Sequence, residues 1–289
     1  MDYLSTFIEM LQARNLTPNT IRSYTTYIKP YLQFLSSMNI RPEDASWQIV
    51  RDFLRWLQKE RSLSDRTVNL VISNLQFFWI YVLHQTWDKT QVPFRKFDEY
   101  LPFVPDRALV QRFLESLDDP KANLAVSILY STGMRLDELC HLKCPDIYLD
   151  SGKIHIRHSK NHSDRYVSLI PSIKDRIVGY WLSLPVGQRP RKWLFTQQRS
   201  LDTPMDKQWL QRIILQKKTE LGIDGRLCAH SFRHAYATHS YENGMDLITL
   251  QSLLGHRSLN STTVYLHLAQ TSRNTVVNPF DQLGGGARG

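Results

Sequence analysis

The pattern of apolar positions divides the first part of the chain into four helices. In four segments apolar side chains recur every three or four residues, as on the buried face of an amphipathic helix. The clearest members of these faces are Phe7 and Leu11, Ile28 and Leu35, Phe53 and Leu57, and Val71 and Phe78. Residues 1–88 are therefore predicted to form an all-helical domain.

Two helix starts in this domain share one residue order. Residues 14–21 and 61–68 both follow Arg-x-Leu-Thr/Ser-x-x-Thr-Ile/Val. Thr17 and Ser64 occupy the position from which an N-cap side chain accepts hydrogen bonds from the first free amides. Helix starts can also hold phosphate oxygens, although two well-capped helices with a solvated face explain the pattern equally well. The side chains expected to contact a phosphate-rich partner are Thr20, Arg22, Arg66, Thr67 and Asn69.

The periodicity changes twice further along the chain. Between residues 89 and 105 it lapses in a segment that contains three prolines, which predicts a linker. From Asp106 the helical pattern resumes, and over residues 153–169 it becomes a two-residue alternation with Lys160 near its centre. That alternation predicts a β-hairpin. We expect a mainly α chain with a small β-hairpin, a second domain over 106–270 and a C-terminal tail over 271–289.

Length and charge agree with two domains and a polyanionic partner. The chain has 289 residues and a formal charge of +9, which favours nucleic acid or an anionic membrane as partner. No apolar run reaches the roughly 18 residues of a spanning helix, and the first twenty residues do not resemble a signal peptide. We therefore expect a cytoplasmic protein with no membrane partner.

The three cysteines predict reduced thiols rather than disulfides. A zinc site is an alternative to buried or incidental thiols, but the sequence lacks a second closely spaced ligand pair. The residues that would form such a site are Cys140, His141, Cys144 and Cys228.

Residues 230–265 collect side chains suited to a phosphodiester. If Tyr265 attacks the phosphorus, negative charge develops on the non-bridging oxygens, and Arg233 can donate two parallel hydrogen bonds to them. His230 and His256 can move protons near neutral pH. Taken alone, Tyr265 is more simply a core residue, and His234 is more simply a packing or hydrogen-bonding histidine.

Three upstream residues complete this hypothetical site. Arg135 can supply a second guanidinium, with Glu138 one helical turn away on the same face. Lys160 is a candidate general acid for the departing 5′ oxygen. The simpler interpretations are a surface ion pair and a solvated lysine. Two guanidinium groups provide the charge neutralisation that Mg²⁺ supplies elsewhere, so no metal or other cofactor is expected.

A resemblance to a known family rests on five motifs. In order they are Thr132-Gly133-Met134-Arg135 with Glu138, the hairpin 159–169, His230-Ser231-Phe232-Arg233-His234, Leu254-Gly255-His256, and Thr262-Thr263-Val264-Tyr265. With this order and spacing, over Tyr3 to Leu268, the chain resembles the tyrosine recombinases, or phage-integrase-type recombinases. It is most similar to the compact Xer-like and transposon-borne members.

The resemblance implies a site-specific recombinase that cleaves DNA through a 3′-phosphotyrosyl link. It implies a SAM-like core-site-binding domain and a mixed α+β catalytic domain that form a C-shaped clamp on DNA. It also implies paired inverted half-sites, a homotetramer and a Holliday junction. The catalytic set it implies, with Glu138 in support, is Arg135, Lys160, His230, Arg233, His256 and Tyr265.

The chain also departs from family patterns. No additional arm-binding domain is expected before the helical domain, and the apolar cluster between Val276 and Leu283 is short. We expect that cluster still to dock on a neighbouring subunit, and we expect a role in integration, excision or resolution of a mobile element. The alternatives are a type IB topoisomerase and a non-catalytic DNA-binding protein on the same scaffold.

Overall fold

A computed structural model of the chain describes residues 2–98, 101–157, 164–198 and 200–269. The chain divides into two units, Met1–Glu99 and Tyr100–Gly289. It is mainly helical with small antiparallel sheets, as predicted. In the described part of the chain no helix is long and apolar enough to cross a membrane.

The first unit contains the four predicted helices. They are α1 (Tyr3–Ala13), α2 (Pro18–Ser37), α3 (Trp47–Arg61) and α4 (Asp65–Tyr81). Each contributes a fully buried aromatic or large apolar side chain, including Phe7, Tyr31, Phe53 and Phe78. Tyr31 packs edge-on against Phe53 with 5.0 Å between ring centroids. The helical periodicity of the sequence thus marked the core faces correctly.

The two repeated helix starts adopt the same local geometry. Thr17 accepts from the amide of Thr20 at the start of α2, and Ser64 accepts from the amide of Thr67 at the start of α4. The hydroxyls of Thr20 and Thr67 also lie 2.9 and 3.0 Å from the hydroxyls of their caps. Both predicted N-caps are confirmed, and each satisfies amides that the helix leaves without a partner.

Part of the predicted linker belongs to the first unit. Val92 is buried in its core. The side chain of Asn69 donates to the backbone carbonyl of Arg95 and accepts from the backbone amide of Arg95. The guanidinium of Arg95 pairs with Asp65 at 2.9 Å. These contacts hold the chain to α4 well beyond residue 89, because a polar side chain satisfies both backbone groups of one linker residue.

The second unit has eight helices and five short strands among its described residues. The helices are α5 (Arg107–Glu115), α6 (Pro120–Thr132), α7 (Leu136–Cys140), α8 (Pro171–Ser183), α9 (Lys207–Glu220), α10 (Ala229–Glu242), α11 (Leu247–Leu254) and α12 (Asn260–Leu268). The strands are β1 (Ile147–Tyr148), β2 (Lys153–Ile156), β3 (Arg165–Ser168), β4 (Thr196–Gln197) and β5 (Ser200–Pro204).

Strands β2 and β3 form the predicted hairpin. They pair antiparallel with Ile154 opposite Val167, and both side chains are buried. The two-residue strand β1 extends this sheet, and β4 pairs with β5 in a second sheet. Strands β1 and β4 have only two residues each, and burial along β5 does not alternate, so no two-residue pattern marks these strands in the sequence. Lys160 lies outside the described residues.

Helix α6 packs against α10 and α8 and ends at Gly133, whose φ of 62° is left-handed. A β-carbon there would lie 2.9 Å from Leu254 Cδ2 and would overlap the ring of Tyr236. Glycine is therefore required both by conformation and by space. Arg135 lies two residues after this turn.

Candidate active site

Arg135 is the N-cap of α7 rather than a residue within it. The helix begins at Leu136, one residue after Arg135. The amide of Arg135 donates to Glu138 Oε2 at 2.8 Å, and its Nη1 donates to Glu138 Oε1 at 2.8 Å. The Glu138 carboxylate therefore caps the start of α7 and also binds the guanidinium of Arg135, which remains partly exposed.

Glu138 binds a second arginine. Arg165 Nη1 and Nη2 donate to the two carboxylate oxygens at 2.9 and 2.6 Å. Burial of Glu138 by itself raises the pKa of the carboxyl. The hydrogen bonds and charge of Arg165, with those of Arg135, outweigh that effect and lower the pKa to about 2. The simpler interpretation, a surface ion pair, is wrong: the side chains of Glu138 and Arg165 are buried, and the partly exposed Arg135 is the third member of the cluster.

Arg233 is buried on α10. Its Nη1 donates to Gly133 O at 2.5 Å, and its Nη2 lies 2.8 Å from Leu254 O and 3.0 Å from His256 Nε2. Burial, followed by repulsion from Arg135, lowers the pKa of this guanidinium to about 10. Arg233 is therefore still a cation at neutral pH.

The tautomer of His256 follows from its partners. A guanidinium can only donate, so Nε2 accepts from Arg233 and the ring proton lies on Nδ1. Nδ1 then donates to Thr262 Oγ1, 2.9 Å away. Burial and then the charge of Arg233 lower the pKa of His256 to about 4. The ring is neutral at neutral pH, with its basic nitrogen against Arg233.

Tyr265 is packed on α12 with 1% of its surface exposed. Its ring is nearly parallel to that of His256, with centroids 6.4 Å apart. Burial raises the pKa of the phenol, and the charges of Arg233 and Arg135 oppose the increase. The phenol therefore lies within the electrostatic reach of both guanidinium groups.

His234 is the hydrogen-bond partner of this tyrosine. Its Nδ1 lies 3.2 Å from Tyr265 Oη. Burial, followed by the charges of His230 and Arg233, lowers the pKa of His234 to about 4. His230 is exposed in the first turn of α10 and packs edge-on against His234 with centroids 6.0 Å apart. The histidine expected to pack or hydrogen-bond thus contacts the candidate nucleophile.

The candidate DNA contacts of the first unit differ in their surroundings. Arg22 is exposed, and Arg66 lies over the ring of Phe97 at 4.8 Å. Thr20 and Thr67 present partly exposed hydroxyls bonded to the two N-caps. The amide of Asn69 is occupied by the backbone of Arg95, so its side chain positions that segment.

The cysteines do not assemble a zinc site. Cys140 is buried, Cys144 is half-buried and Cys228 is exposed, and all three are free thiols. Within the described ranges, no three metal-ligating side chains converge on one point.

Acidification is expected to destabilise the fold. His234 and His256 have folded pKa values of about 4 against 6.5 for the free side chain. Between these values the unfolded chain binds more protons, so the free energy of unfolding falls as pH falls from about 6.5 to 4. Each histidine lowers the free energy of unfolding by on the order of 2–3 kcal/mol over this pH range. Glu138, with a pKa lowered from 4.5 to about 2, continues the loss below that range.

Urea unfolding at a series of pH values measures this slope. His256→Asn removes one of the titrating rings and should give a shallower dependence between about pH 6.5 and 4. An identical slope in the two proteins would show that the protonation of His256 is not linked to folding.

Two family models match the chain. The Phage integrase family matches residues 107–272, and the phage integrase N-terminal SAM-like domain matches residues 3–89. Tyrosine recombinase XerC of Bacillus licheniformis is 31% identical, with 93% of this chain and 92% of that protein covered. Tyrosine recombinase XerA of Pyrococcus furiosus is 30% identical, with coverages of 91% and 88%.

Solved structures share the fold. XerH recombinase bound to a palindromic difH substrate has a TM-score of 0.73 at 23% identity, covering 89% of this chain and 79% of that one. A lambda integrase dimer bound to a core site has a TM-score of 0.74 at 18% identity, with coverages of 90% and 95%. The family match covers more than half of the chain and includes Arg135, Arg233, His256 and Tyr265. The chain therefore belongs to the phage integrase family of tyrosine recombinases.

Proposed function

We propose that the protein is a site-specific DNA recombinase that cleaves and rejoins strands through a 3′-phosphotyrosyl intermediate. The observation that carries this proposal is the placement of Tyr265. Its ring stacks beside that of His256, whose Nε2 lies 3.0 Å from Arg233 Nη2. Such a tyrosine is close to the groups that would bind the phosphate it attacks.

The chemistry follows from the charges in this site. Arg135 and Arg233 would bind the non-bridging oxygens of the scissile phosphate, where negative charge grows in the transition state. The bond from Tyr265 Oη to phosphorus forms as the bond to the 5′ oxygen breaks. His230 takes the phenol proton, and Lys160 gives a proton to the 5′ oxygen, while His256 holds the guanidinium of Arg233. Attack by a 5′ hydroxyl on the phosphotyrosine reverses these steps, so rejoining needs no ATP.

Cleavage requires a movement of α12. Tyr265 is almost entirely closed to solvent, and its hydroxyl is hydrogen-bonded to His234. A DNA phosphate reaches the oxygen only after this part of the site opens. The hydrogen bond is a modest barrier, because a neutral pair of this type contributes about 1 kcal/mol.

The first unit would bind the core site. Its two capped helix starts carry the exposed side chains of Arg22 and Arg66 for phosphate contacts, beside Thr20 and Thr67. Together with the second unit it would bind DNA that carries paired inverted half-sites. XerH was solved with a palindromic difH substrate and lambda integrase as a dimer bound to a core site, which supports DNA as the partner.

We also propose the assembly and the biological role implied by the family. A homotetramer would exchange strands through a Holliday junction in the cytoplasm, for integration, excision or resolution of a mobile element. The docking segment proposed between Val276 and Leu283 lies outside the described residues.

Trapping the covalent intermediate tests the function. Duplexes bound by the protein are selected from a randomised DNA pool, and a nick is placed near the centre of the selected site. Cleavage next to the nick releases a short fragment, so rejoining fails and a protein–DNA adduct should accumulate even in EDTA. A protein that binds the selected site but forms no adduct would instead be a DNA-binding protein. Relaxation of supercoiled DNA without site preference would indicate a topoisomerase.

A further inference from the structure

The end of α11 collects three arginines. The carbonyl oxygens of residues 253–255 are consecutive, and each accepts a hydrogen bond from a different guanidinium. The three pairs are Arg165 Nε to Leu253 O at 2.7 Å, Arg233 Nη2 to Leu254 O at 2.8 Å, and Arg135 Nη2 to Gly255 O at 3.2 Å. One short stretch of backbone therefore sets the spacing of all three side chains.

The physical reason lies in the helix terminus. The last carbonyls of a helix have no partner within it and carry the negative end of the helix dipole. Gly255 then turns the chain with φ of 65°. A β-carbon at Gly255 would lie 3.1 Å from Arg165 Nη1, so the turn also packs closely against that guanidinium.

Arg165 has a second attachment. Besides Leu253 O it binds both carboxylate oxygens of Glu138, and Glu138 in turn holds the amide and Nη1 of Arg135. The side chain of Arg165 is 8% exposed. It therefore connects β3 to the start of α7 and to the end of α11, and these three elements carry or support the phosphate-binding groups.

We propose that Arg165 is a positioning residue for DNA cleavage. It fixes Glu138 and the end of α11 relative to each other, so that Arg135 and Arg233 point at the same phosphate. The proposal rests on the recombinase function proposed above. The competing view is that this buried ion pair contributes only to stability or even costs stability, as isolated buried pairs often do.

A positioning role predicts which kinetic quantity changes. Arg165→Gln removes the paired donors to Glu138 and leaves DNA-contacting side chains in place. At saturating protein, the single-turnover cleavage rate should fall about 100-fold, the effect expected when a reacting group is misplaced by about 1 Å. The protein concentration that gives half-maximal cleavage should change by less than about threefold, because the phosphate-binding side chains remain.

Two further variants separate positioning from stability. Arg165→Lys keeps the charge but not the parallel donors, so its cleavage rate should remain at least about tenfold below wild type. Arg176 also makes two hydrogen bonds from its guanidinium, to Ser127 and Asn123, and neither of these partners is a candidate site residue. Arg176→Gln is the matched control and should cleave at the wild-type rate.

A double variant tests whether Arg165 acts through Glu138. If Arg165 acts by holding Glu138, the double variant Arg165→Gln with Glu138→Gln should cleave no more than about threefold slower than the slower single variant. Multiplied losses would instead mean that the two residues act independently, and they would overturn the proposed coupling.

The outcomes separate the two proposals. No covalent adduct from the wild-type protein on its selected site contradicts the recombinase function itself. A wild-type adduct together with an unchanged cleavage rate in folded Arg165→Gln overturns the positioning role and leaves the function standing. If circular dichroism shows that Arg165→Gln is unfolded, Arg165→Lys decides, and a wild-type rate in that variant overturns the proposal.

Discussion

Replacing Tyr265 with phenylalanine is expected to abolish the covalent protein–DNA adduct and to leave DNA binding intact. The substitution keeps the ring that packs beside His256 and removes only the oxygen. Among the described residues that oxygen is hydrogen-bonded to His234, and loss of this bond costs about 1 kcal/mol of stability. The adduct requires this oxygen as nucleophile. Denaturing gels measure the adduct, and gel shifts measure the binding.

The chain offers a closely matched control. Tyr130 is another partly buried tyrosine of the second unit, and its hydroxyl lies 2.9 Å from Nδ1 of His239. Tyr130→Phe therefore breaks a tyrosine–histidine hydrogen bond of the same kind without removing the proposed nucleophile. It should form the adduct as the wild type does. An adduct that persists in Tyr265→Phe would identify a different nucleophile.

Arg135→Lys is expected to slow cleavage by about 10²–10³-fold, nearly as much as removal of the side chain. Arg135 donates from Nη1 to Glu138 and from Nη2 to Gly255 O, and these bonds hold the guanidinium plane in one orientation. A lysine ammonium is a single rotatable donor group that cannot keep both contacts and also present two parallel donors to a phosphate. Single-turnover cleavage at saturating protein measures the loss.

An arginine-to-lysine substitution at another position controls for the general effect of exchanging these two cationic side chains. Arg107 on α5 donates to Asn243 and pairs with Glu242 near the end of α10. Arg107→Lys should cleave at the wild-type rate with similar stability. Near-normal cleavage by Arg135→Lys would contradict the role of its guanidinium, because the charge alone would then be sufficient.

Local interactions explain what the sequence predicted well. The four helices of the first unit follow from apolar spacing, since neighbours on one helical face are three or four residues apart. The N-caps Thr17 and Ser64 act on amides within three residues. The hairpin follows from strict alternation over β2 and β3. The pairing of Arg135 with Glu138 also spans only one turn.

Contacts between residues that are far apart in the sequence are seen only in the tertiary structure. Arg165 binds Leu253 O across 88 residues and Arg135 binds Gly255 O across 120. Backbone carbonyls carry no sequence signal, so no residue pattern marks them as partners. Asn69 lies near a helix start and was therefore a candidate DNA contact. Its side-chain amide is instead hydrogen-bonded to the backbone of Arg95.

By itself the sequence determined the helices, their caps, the hairpin and the set of side chains able to bind a phosphate, because each depends on residue type or on neighbours along the chain. Only the tertiary structure placed His234 on the hydroxyl of Tyr265 and gathered three arginines at the end of α11. Like charges approach this closely only where a carboxylate and unpaired helix carbonyls compensate them, and those partners come from segments far apart in the chain.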